Sequence, residues 1–370
     1  MSKIMDIVNC LRNGKALYGD YVRNRHCIVA SESNGERTAY CFSIPIYKEG
    51  TNMMLEPVFF KDGDIIHMEG SNSSININKN VSFRNRYGEV KMITDNPYEF
   101  ISGNEIRSGE INVYPAYNGI VCLAGCSVNR GVQFTIEVTD PDIQIRVNNK
   151  CLAFMREQYI PLATISCIGA VDGSGVVVAP AILSYTQEKE GIYNVVINTF
   201  SPYAEAVLYE ISMYEPKLLQ DTTVESNNPQ SNNAYGGVAF IGNTGSYGEQ
   251  WLYIRPDMGK IPDIECEKVK KAILHLPLYH NKPIGLKAYS VSSRFCSFGS
   301  NWNNKLSAAY GSTDGVERNG YISFDITDMY ANRASGYIIK PREKNVGFAC
   351  VSTGDNYDRP VVLEVVMENK

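Results

Sequence analysis

Short apolar runs recur along the whole chain, and within many of them hydrophobic and polar residues alternate at every second position. Ile75 and Ile77 show this pattern, and Val81 and Phe83 continue it after a polar break. A period of two is typical of a β-strand with one buried face, and clusters of Asn, Asp, Gly and Ser between the runs are typical of turns. Closely spaced short strands predict an all-β protein built from tandem β-sandwich or jelly-roll units.

A helical spacing of apolar residues occurs near the N-terminus, where Ile4, Val8 and Leu11 predict a short helix. The 370 residues exceed the size at which a single hydrophobic core usually stops growing, so we expect several domains. Polar stretches over residues 95–109 and 221–233 indicate two boundaries. The predicted organisation is an N-terminal arm, a β-rich unit, a β-sandwich unit and a jelly-roll module, over residues 1–26, 27–100, 101–219 and 220–370.

The clearest hairpin pattern lies on either side of residues 140–142, which read Asp-Pro-Asp. Apolar residues alternate with polar ones on both sides, namely Phe134, Ile136 and Val138 before the turn and Ile143, Ile145 and Val147 after it. Pro and Asp favour tight turns. The pattern therefore predicts that these two strands pair with each other.

From Asp221 onward, a series of motifs follows in a fixed order. They are Asp221-Thr222-Thr223-Val224, Asn233-Ala234-Tyr235-Gly236, Trp251-Leu252-Tyr253-Ile254, Ala272-Ile273-Leu274-His275-Leu276, Trp302-Asn303-Asn304, Phe324-Asp325-Ile326-Thr327-Asp328 and Arg359-Pro360-Val361-Val362-Leu363. This order resembles the DNRLRE family of jelly-roll modules, which are related to carbohydrate-binding domains, although the hexapeptide that names the family is absent. The resemblance implies a jelly roll and a role in cell-surface or large extracellular proteins.

Composition argues against several classes of partner. Hydrophobic residues make up 44% of the chain and charged residues 20%, as in ordinary globular proteins. The 35 basic and 40 acidic residues give a net charge of −5, which provides no electrostatic footprint for nucleic acid. Apolar runs stay shorter than the roughly 18 residues of a membrane helix, and residues 1–25 lack a continuous apolar signal-peptide core. We therefore expect no nucleic-acid partner, no membrane span and no conventional signal peptide.

The ten cysteines are too few for a disulfide scaffold in a chain of this length. Most are expected to be small buried hydrophobic residues. Cys10, Cys27 and Cys41 stand close to the N-terminus, where a flexible arm could reach a neighbouring molecule. Under oxidising conditions, the sequence predicts that disulfides between subunits involve these three residues.

Sequence motifs for the common catalytic and metal sites are absent. The chain has no serine-hydrolase elbow and no phosphate-binding loop. Its four histidines lack the spacing of a zinc-ligand motif; they are His26, His67, His275 and His280. We predict that the protein is not an enzyme and needs no cofactor.

Paired carboxylates are the enzymatic alternative that remains, because the two acids of a polysaccharide-active enzyme need no local motif. Asp325 and Asp328 are the pair that the sequence offers. The same pair, or Asp62 with Asp64, would supply oxygen ligands to Ca²⁺.

The strongest ligand candidate is the loop that carries Trp302, Asn303 and Asn304. An aromatic ring can stack on a sugar while amides bond its hydroxyl groups. A tryptophan at the mouth of a loop can equally close the end of a sandwich by packing. Both interpretations stay open at this point.

The combined pattern predicts a non-catalytic structural or surface protein, a self-assembling subunit of an extracellular appendage, filament or phage-like particle. Open sheet edges suit β-rich units to repeated contacts between copies. The alternatives are a carbohydrate-binding module and, third, a polysaccharide-active enzyme. The predicted location is extracellular, or on the surface of a cell, spore or particle.

Overall fold

The structure is a computed structural model that describes residues 3–13, 20–31, 35–128, 130–140, 142–148, 150–157, 160–257, 269–279, 284–344 and 347–368. Strands take up 57% of the residues and helices 4%, which confirms the all-β prediction. Among the described residues, no helix has both the length and the apolar character needed to cross a membrane.

The secondary-structure elements fall into three consecutive stretches. The first contains α1 (Lys3–Leu11), β1 (Asp20–Asn24), β2 (Cys27–Ser31) and β3 (Arg37–Phe42). The second contains β4 (Val58–Asp62), β5 (Ile65–Glu69), β6 (Ser74–Ile77), β7 (Asn80–Asn85), β8 (Gly88–Ile93), β9 (Glu99–Ser102), β10 (Glu105–Ser108), β11 (Ile111–Ala116), β12 (Gly119–Gly125), β13 (Val132–Val138), β14 (Gln144–Val147), β15 (Cys151–Glu157), β16 (Ile160–Val171), β17 (Val177–Ala179), β18 (Ala181–Lys189), β19 (Ile192–Thr199) and β20 (Ala206–Met213). The third contains β21 (Leu219–Glu225), β22 (Val238–Thr244), β23 (Gly248–Pro256), β24 (Val269–Pro277), β25 (Leu286–Val291), β26 (Ser312–Arg318), β27 (Tyr321–Asp325), α2 (Thr327–Ala331), β28 (Gly336–Pro341), β29 (Phe348–Ser352) and β30 (Val362–Met367).

These stretches form two compact units. Unit 1 consists of Met1–Met54, Pro216–Ala234 and Val238–Lys370, and unit 2 consists of Leu55–Glu215 and Tyr235–Gly237. The limits differ from the boundaries drawn from the sequence after residues 26, 100 and 219. The N-terminal stretch joins the C-terminal one because β3 pairs with β30. Such a pairing between distant segments has no local signal in the sequence.

Unit 2 contains two antiparallel sheets. One follows the order β18-β19-β13-β8-β7-β6-β5-β4, and the other follows β14-β15-β16-β20-β12-β11-β10-β9, with β17 against β16. The alternating residues Ile75 and Phe83 belong to the core that the sheets share. Phe134 of the first sheet stacks on Tyr209 of the second, with ring centroids 5.2 Å apart and planes at 8°. The two apolar faces therefore pack as a sandwich.

The predicted hairpin across residues 140–142 is wrong, although both of its strands exist. β13 pairs with β8 and β19, whereas β14 pairs with β15 in the other sheet. The chain therefore passes from one sheet to the other at this turn, of which Pro141 lies outside the described residues. Period-two alternation shows which face of a strand is buried, but it does not identify the neighbouring strand.

Unit 1 is formed by one sheet that folds over its own core. The strand order is β1-β2-β3-β30-β24-β27-β26-β25-β28-β23-β22-β29, with β21 against β23. β26 pairs with β25 through residues 312–314 and with β27 through residues 315–318. Leu274 of β24 and Leu252 of β23 belong to the same buried cluster. The two halves of the sheet therefore pack as the layers of a sandwich, joined through β26.

Helix α1 is held against unit 1. Ile4 and Val8, one turn apart, are buried, as their spacing predicts. At the end of the helix, Cys10 Sγ lies 3.9 Å from the carbonyl oxygen of Asn319, and Asn319 Nδ2 donates to the Cys10 carbonyl at 3.3 Å. Apolar burial and these polar contacts fix both the face and the end of the helix.

Candidate functional site

Polar side chains gather on the outer face of five neighbouring strands of unit 1, β3, β30, β24, β27 and β26. On β24, Leu274 belongs to the core, so the next residue, His275, points to the opposite face. His275 lies directly across from Ser323 of β27. Glu364 of β30 lies across from Ile273, two residues from His275 on the same face. Strand register therefore brings a serine, a histidine and a carboxylate together.

His275 is the centre of a hydrogen-bond chain. Its Nε2 lies 2.9 Å from Oε2 of Glu364, and its Nδ1 lies 2.8 Å from Oγ of Ser323. With the proton on Nε2, the neutral ring donates to the carboxylate and accepts the hydroxyl proton of Ser323. His275 is only 5% exposed, and Tyr321 packs edge-on to its ring with centroids 6.4 Å apart. These two hydrogen bonds therefore hold the imidazole ring of His275 in one orientation.

A cavity of about 750 Å³ lies between this part of the sheet face and the C-terminal end of α1. Its charged and hydrogen-bonding side chains include Arg12, Glu36, Tyr40, Lys271, His275, Arg318, Asn319, Ser323, Asp325 and Glu364. Leaving His275 aside, three of these are cations and three are carboxylates, so the formal charges cancel at neutral pH. A lining that combines apolar surface with hydrogen-bonding groups of balanced charge suits an uncharged ligand with several hydroxyl groups.

A serine, a histidine and a carboxylate in one hydrogen-bonded row are also the groups of a serine-hydrolase triad. That chemistry needs donors aimed at the developing oxyanion. Ser323, however, lies within β27, between His275 of β24 and Val316 of β26. Its backbone polar groups point along the plane of the sheet toward those strands, not into the cavity. The backbone of Ser323 therefore supplies no oxyanion donor to the cavity.

Trp302 is half-buried and packs against Trp251, with ring centroids 4.9 Å apart and planes at 51°. Both rings rest on a buried cluster that includes Tyr253. Lys305 Nζ lies 4.3 Å from the centroid of Trp302, and Lys340 Nζ lies 3.7 Å from that of Trp251. The cations gain cation–π attraction, but they occupy ring faces on which a sugar would stack. These contacts give Trp302 a packing role, and ligand binding by Trp302, Asn303 and Asn304 stays a prediction.

Lys340, next to Trp251, is influenced by burial and by the charges of Glu249 and Lys305. Trp251 Nε1 donates to Oε1 of Glu249 at 2.8 Å. Partial burial lowers the pKa of Lys340, the Glu249 carboxylate opposes that change, and the neighbouring Lys305 lowers the pKa further. The lysine and glutamate side chains thus belong to one partly desolvated cluster around the indole rings.

The amides beside Trp302 stabilise their own loop. Asn304 Nδ2 donates to the carbonyl of Gly299 at 2.9 Å, and its Oδ1 accepts the N–H of Asn301 at 2.8 Å. Asn301 Oδ1 in turn accepts the N–H groups of Asn303 at 3.0 Å and Asn304 at 3.2 Å. Asn303 and Asn304 are both exposed. The polar atoms of Asn304 therefore serve the loop, and Asn303 is the better placed of the two for a ligand.

The structure separates the three cysteines that the sequence grouped. Cys27 and Cys41 are fully buried and are Cα partners across β2 and β3. Cys10 is half-buried at the end of α1. A bond from Cys27 or Cys41 to another subunit would require the sheet to open, because neither sulfur reaches the surface. Of the three cysteines predicted to link subunits, Cys10 is the one whose position still allows such a bond.

Asp325 and Asp328 are both exposed and lie at the start of α2. Asp325 Oδ1 accepts the N–H of Thr327 at 3.2 Å and its hydroxyl at 2.5 Å, a local pattern that stabilises a turn. Asp325 also lines the cavity. These contacts give Asp325 a structural role at the entry to the helix.

Candidate metal ligands are dispersed in the part of the chain that the structure describes. No group of three or more His, Cys, Asp or Glu side chains there is arranged to hold a metal ion. Asp62, at the end of β4, and Asp64, in the turn before β5, are both exposed. His280 lies outside the described residues. Binding of Ca²⁺ stays a prediction.

Sequence reasoning missed the cavity, because its residues come from five strands and the end of α1. One signal was available. His275, Ser323 and Glu364 each stand between two buried neighbours within a strand. Such positions indicate polar side chains on an outer face, but they do not show that the three strands lie side by side.

Comparison with known proteins assigns no family to the chain. No family model matches it, and no curated protein is significantly similar to it. The resemblance of residues 221–367 to the DNRLRE family stays a prediction.

Proposed function

We propose that the chain is a non-catalytic structural protein that self-associates through an open sheet edge of unit 2. The supporting observation is β14, a four-residue strand at one end of its sheet. In the described part of the chain, β14 pairs on one side with β15. The other side of an edge strand presents backbone N–H and C=O groups that can pair with a strand from another copy.

A groove next to β14 adds hydrogen-bonding groups and some apolar side chains to this edge. Its volume is about 530 Å³, and Thr139, Asp140, Gln187 and Glu190 line it together with Ile143, Ile145, Tyr185 and Tyr193. Val147, at the end of β14, is 42% exposed. Covering apolar surface contributes about 25 cal/mol for each Å² removed from water. An added strand would therefore gain both backbone hydrogen bonds and apolar contacts.

Two other sheet edges of unit 2, β18 and β4, carry features that limit pairing with another molecule. β18, an edge of the other sheet, ends in the exposed residues Gln187, Glu188 and Lys189. Polar and charged side chains at an edge discourage pairing between molecules. At the opposite end of the sandwich, the N–H of Phe59 in β4 donates to the carbonyl of Gly103 at 2.7 Å. Within the described residues, β14 is an edge strand that presents the exposed apolar side chain of Val147 next to Gln144 and Arg146.

Replacing Val147 by lysine is expected to dissociate the assemblies, because a charge at the edge opposes strand addition. Sedimentation velocity would show the unmodified chain as species larger than the 41.2 kDa monomer and the variant as the monomer. Ser184→Lys places the same charge on the polar edge β18 and should leave the assemblies intact. A folded Val147→Lys protein that assembles like the unmodified chain would rule out the β14 edge as the contact.

The setting that we propose for these assemblies is an extracellular appendage, filament or phage-like particle. Support comes from the resemblance of residues 221–367 to modules of surface proteins and from the near balance of 35 basic and 40 acidic residues. A chain of low net charge tolerates close packing of identical copies better than a strongly charged one.

The cavity of unit 1 supports a second candidate function, the binding of a neutral saccharide. The supporting observation is a lining in which three cations and three carboxylates surround the oriented His275. Hydroxyl groups can donate to the carboxylates and accept from the cations. This site is an alternative to the predicted one at Trp302, whose ring contacts Trp251 and Lys305.

Cellotriose is a suitable neutral probe for this second function. Lys271 lines the cavity and is about half exposed, so Lys271→Met removes one donor without opening the core. Loss of one charge-assisted hydrogen bond should weaken binding about tenfold in isothermal titration calorimetry. Trp302→Phe, which keeps an aromatic ring in the loop, should bind as the unmodified chain does. Weakened binding by Trp302→Phe together with unchanged binding by Lys271→Met would place the saccharide at the Trp302 loop.

A further inference from the structure

Cys27 and Cys41 occupy a position in the sheet of unit 1 that suits a covalent link. They are Cα partners in the antiparallel pair β2 and β3. The adjacent pair, His26 and Phe42, is hydrogen-bonded, since the N–H of Phe42 donates to the carbonyl of His26 at 2.8 Å. Pairs alternate along an antiparallel ladder, so Cys27 and Cys41 form a non-hydrogen-bonded pair, whose Cα atoms lie about 4.5 Å apart. That separation falls within the roughly 4.4–6.8 Å seen across disulfides.

The two sulfur atoms also point toward the same place. Both side chains belong to the buried cluster of unit 1, together with Val29 and Ala39 on the same strands. The thiol of Cys41 is hydrogen-bonded to Cys27, and this bond together with burial raises the pKa of Cys41 well above its usual value. A thiol in this position stays protonated in the folded protein and reacts slowly there.

We infer that Cys27 and Cys41 form a disulfide within one chain when the protein folds under oxidising conditions. Oxidised glutathione serves as the oxidant. The thiolate of one cysteine attacks a sulfur of oxidised glutathione, forms a mixed disulfide and releases one glutathione thiolate. The second cysteine thiolate attacks the protein sulfur of the mixed disulfide and releases the other glutathione thiolate. Two protein thiols thus become one disulfide, and one oxidised glutathione becomes two reduced molecules.

Burial fixes the order of events. Neither sulfur is exposed in the folded unit, so the exchange takes place while the hairpin is still open to solvent. The bond then links β2 to β3 and closes a loop of 13 residues, from Ile28 to Tyr40. β3 also pairs with β30, so the disulfide would lie next to the contact between the N-terminal and C-terminal stretches of unit 1. A cross-link of this kind restricts the unfolded chain and stabilises the folded one.

The inference does not depend on self-association. The test is to unfold and fully reduce the chain, refold it with a mixture of oxidised and reduced glutathione, block the remaining thiols and digest it without reductant. We expect one peptide pair that links Cys27 to Cys41 of the same chain and an intact mass two hydrogens below that of the reduced chain. Material refolded with oxidised glutathione should melt roughly 5–10 °C higher than the same protein unfolded, reduced and refolded in the presence of reductant.

The Cys27→Ala/Cys41→Ala double variant provides the matched control, and its melting temperature should not respond to reductant. Mixed refolding of unlabelled and ¹⁵N-labelled chains separates links within a chain from links between chains. Absence of the Cys27–Cys41 peptide pair after refolding would overturn the inference. So would linked peptides that combine a labelled with an unlabelled chain.

Discussion

Lys217→Met should lower the free energy of unfolding of unit 1 by about 3–5 kcal/mol, because it removes one partner of a buried ion pair. Lys217 and Asp355 are in contact, and their side chains are only 10% and 5% exposed. Among the described residues, none forms a hydrogen bond with the second carboxylate oxygen of Asp355. After the substitution, the Asp355 carboxylate would remain buried without the positive charge of Lys217 beside it.

Denaturant unfolding followed by circular dichroism would measure this loss. The Lys217→Met/Asp355→Leu double variant separates the buried charge from the lost contact, since replacing both partners by apolar residues is often nearly neutral. We expect the double variant to be clearly more stable than Lys217→Met alone. A Lys217→Met protein within about 0.5 kcal/mol of the unmodified chain would show that the pair is solvated, contrary to the structure.

Tyr209→Ala is expected to destabilise unit 2 by about 3–5 kcal/mol, the usual cost of removing a buried aromatic ring. Tyr209 is completely buried, and its ring stacks on Phe134 across the two sheets. The variant loses both the apolar burial and the stacking, and it leaves a cavity between the sheets. Burial also raises the pKa of the Tyr209 hydroxyl well above its usual value, so the group is uncharged at neutral pH.

Tyr209→Phe is the matched control, because it keeps the ring and removes only the hydroxyl. Its cost should stay below about 1.5 kcal/mol, as for other volume-conserving changes in a core. Equilibrium unfolding in urea measures both variants. Equal losses for the two would mean that the hydroxyl, and not the packing between the sheets, determines the contribution of Tyr209.

The strands and their buried faces could be predicted because alternation is a local property of the sequence. Ile75 and Phe83 are core residues of unit 2, as their pattern indicates. Strand partners could not be predicted in the same way. β13 and β14 follow each other in sequence but belong to different sheets, and β3 pairs with β30 at the far end of the chain. Partner choice depends on contacts between distant segments, which no single run of residues reveals.

The candidate sites show the same limit. The position of Trp302 in a loop was visible in the sequence, but its contact with Trp251 was not. Cys27 and Cys41 looked like neighbours of a free arm, whereas strand register places them opposite each other in a core. The cavity around His275 needs the order of five strands before its residues come together. In each case, side-chain chemistry is readable from the sequence and the juxtaposition is not.

The most direct test of the proposed function is the solution mass of the unmodified chain. Light scattering behind a sizing column, at several concentrations and with and without reductant, would measure it. We predict masses above the 41.2 kDa monomer that rise with concentration. Reductant should leave the assemblies that form by strand pairing intact and remove only links through Cys10, since Cys27 and Cys41 are buried within one chain. A monomer at every concentration, in either condition, would contradict a self-associating structural protein.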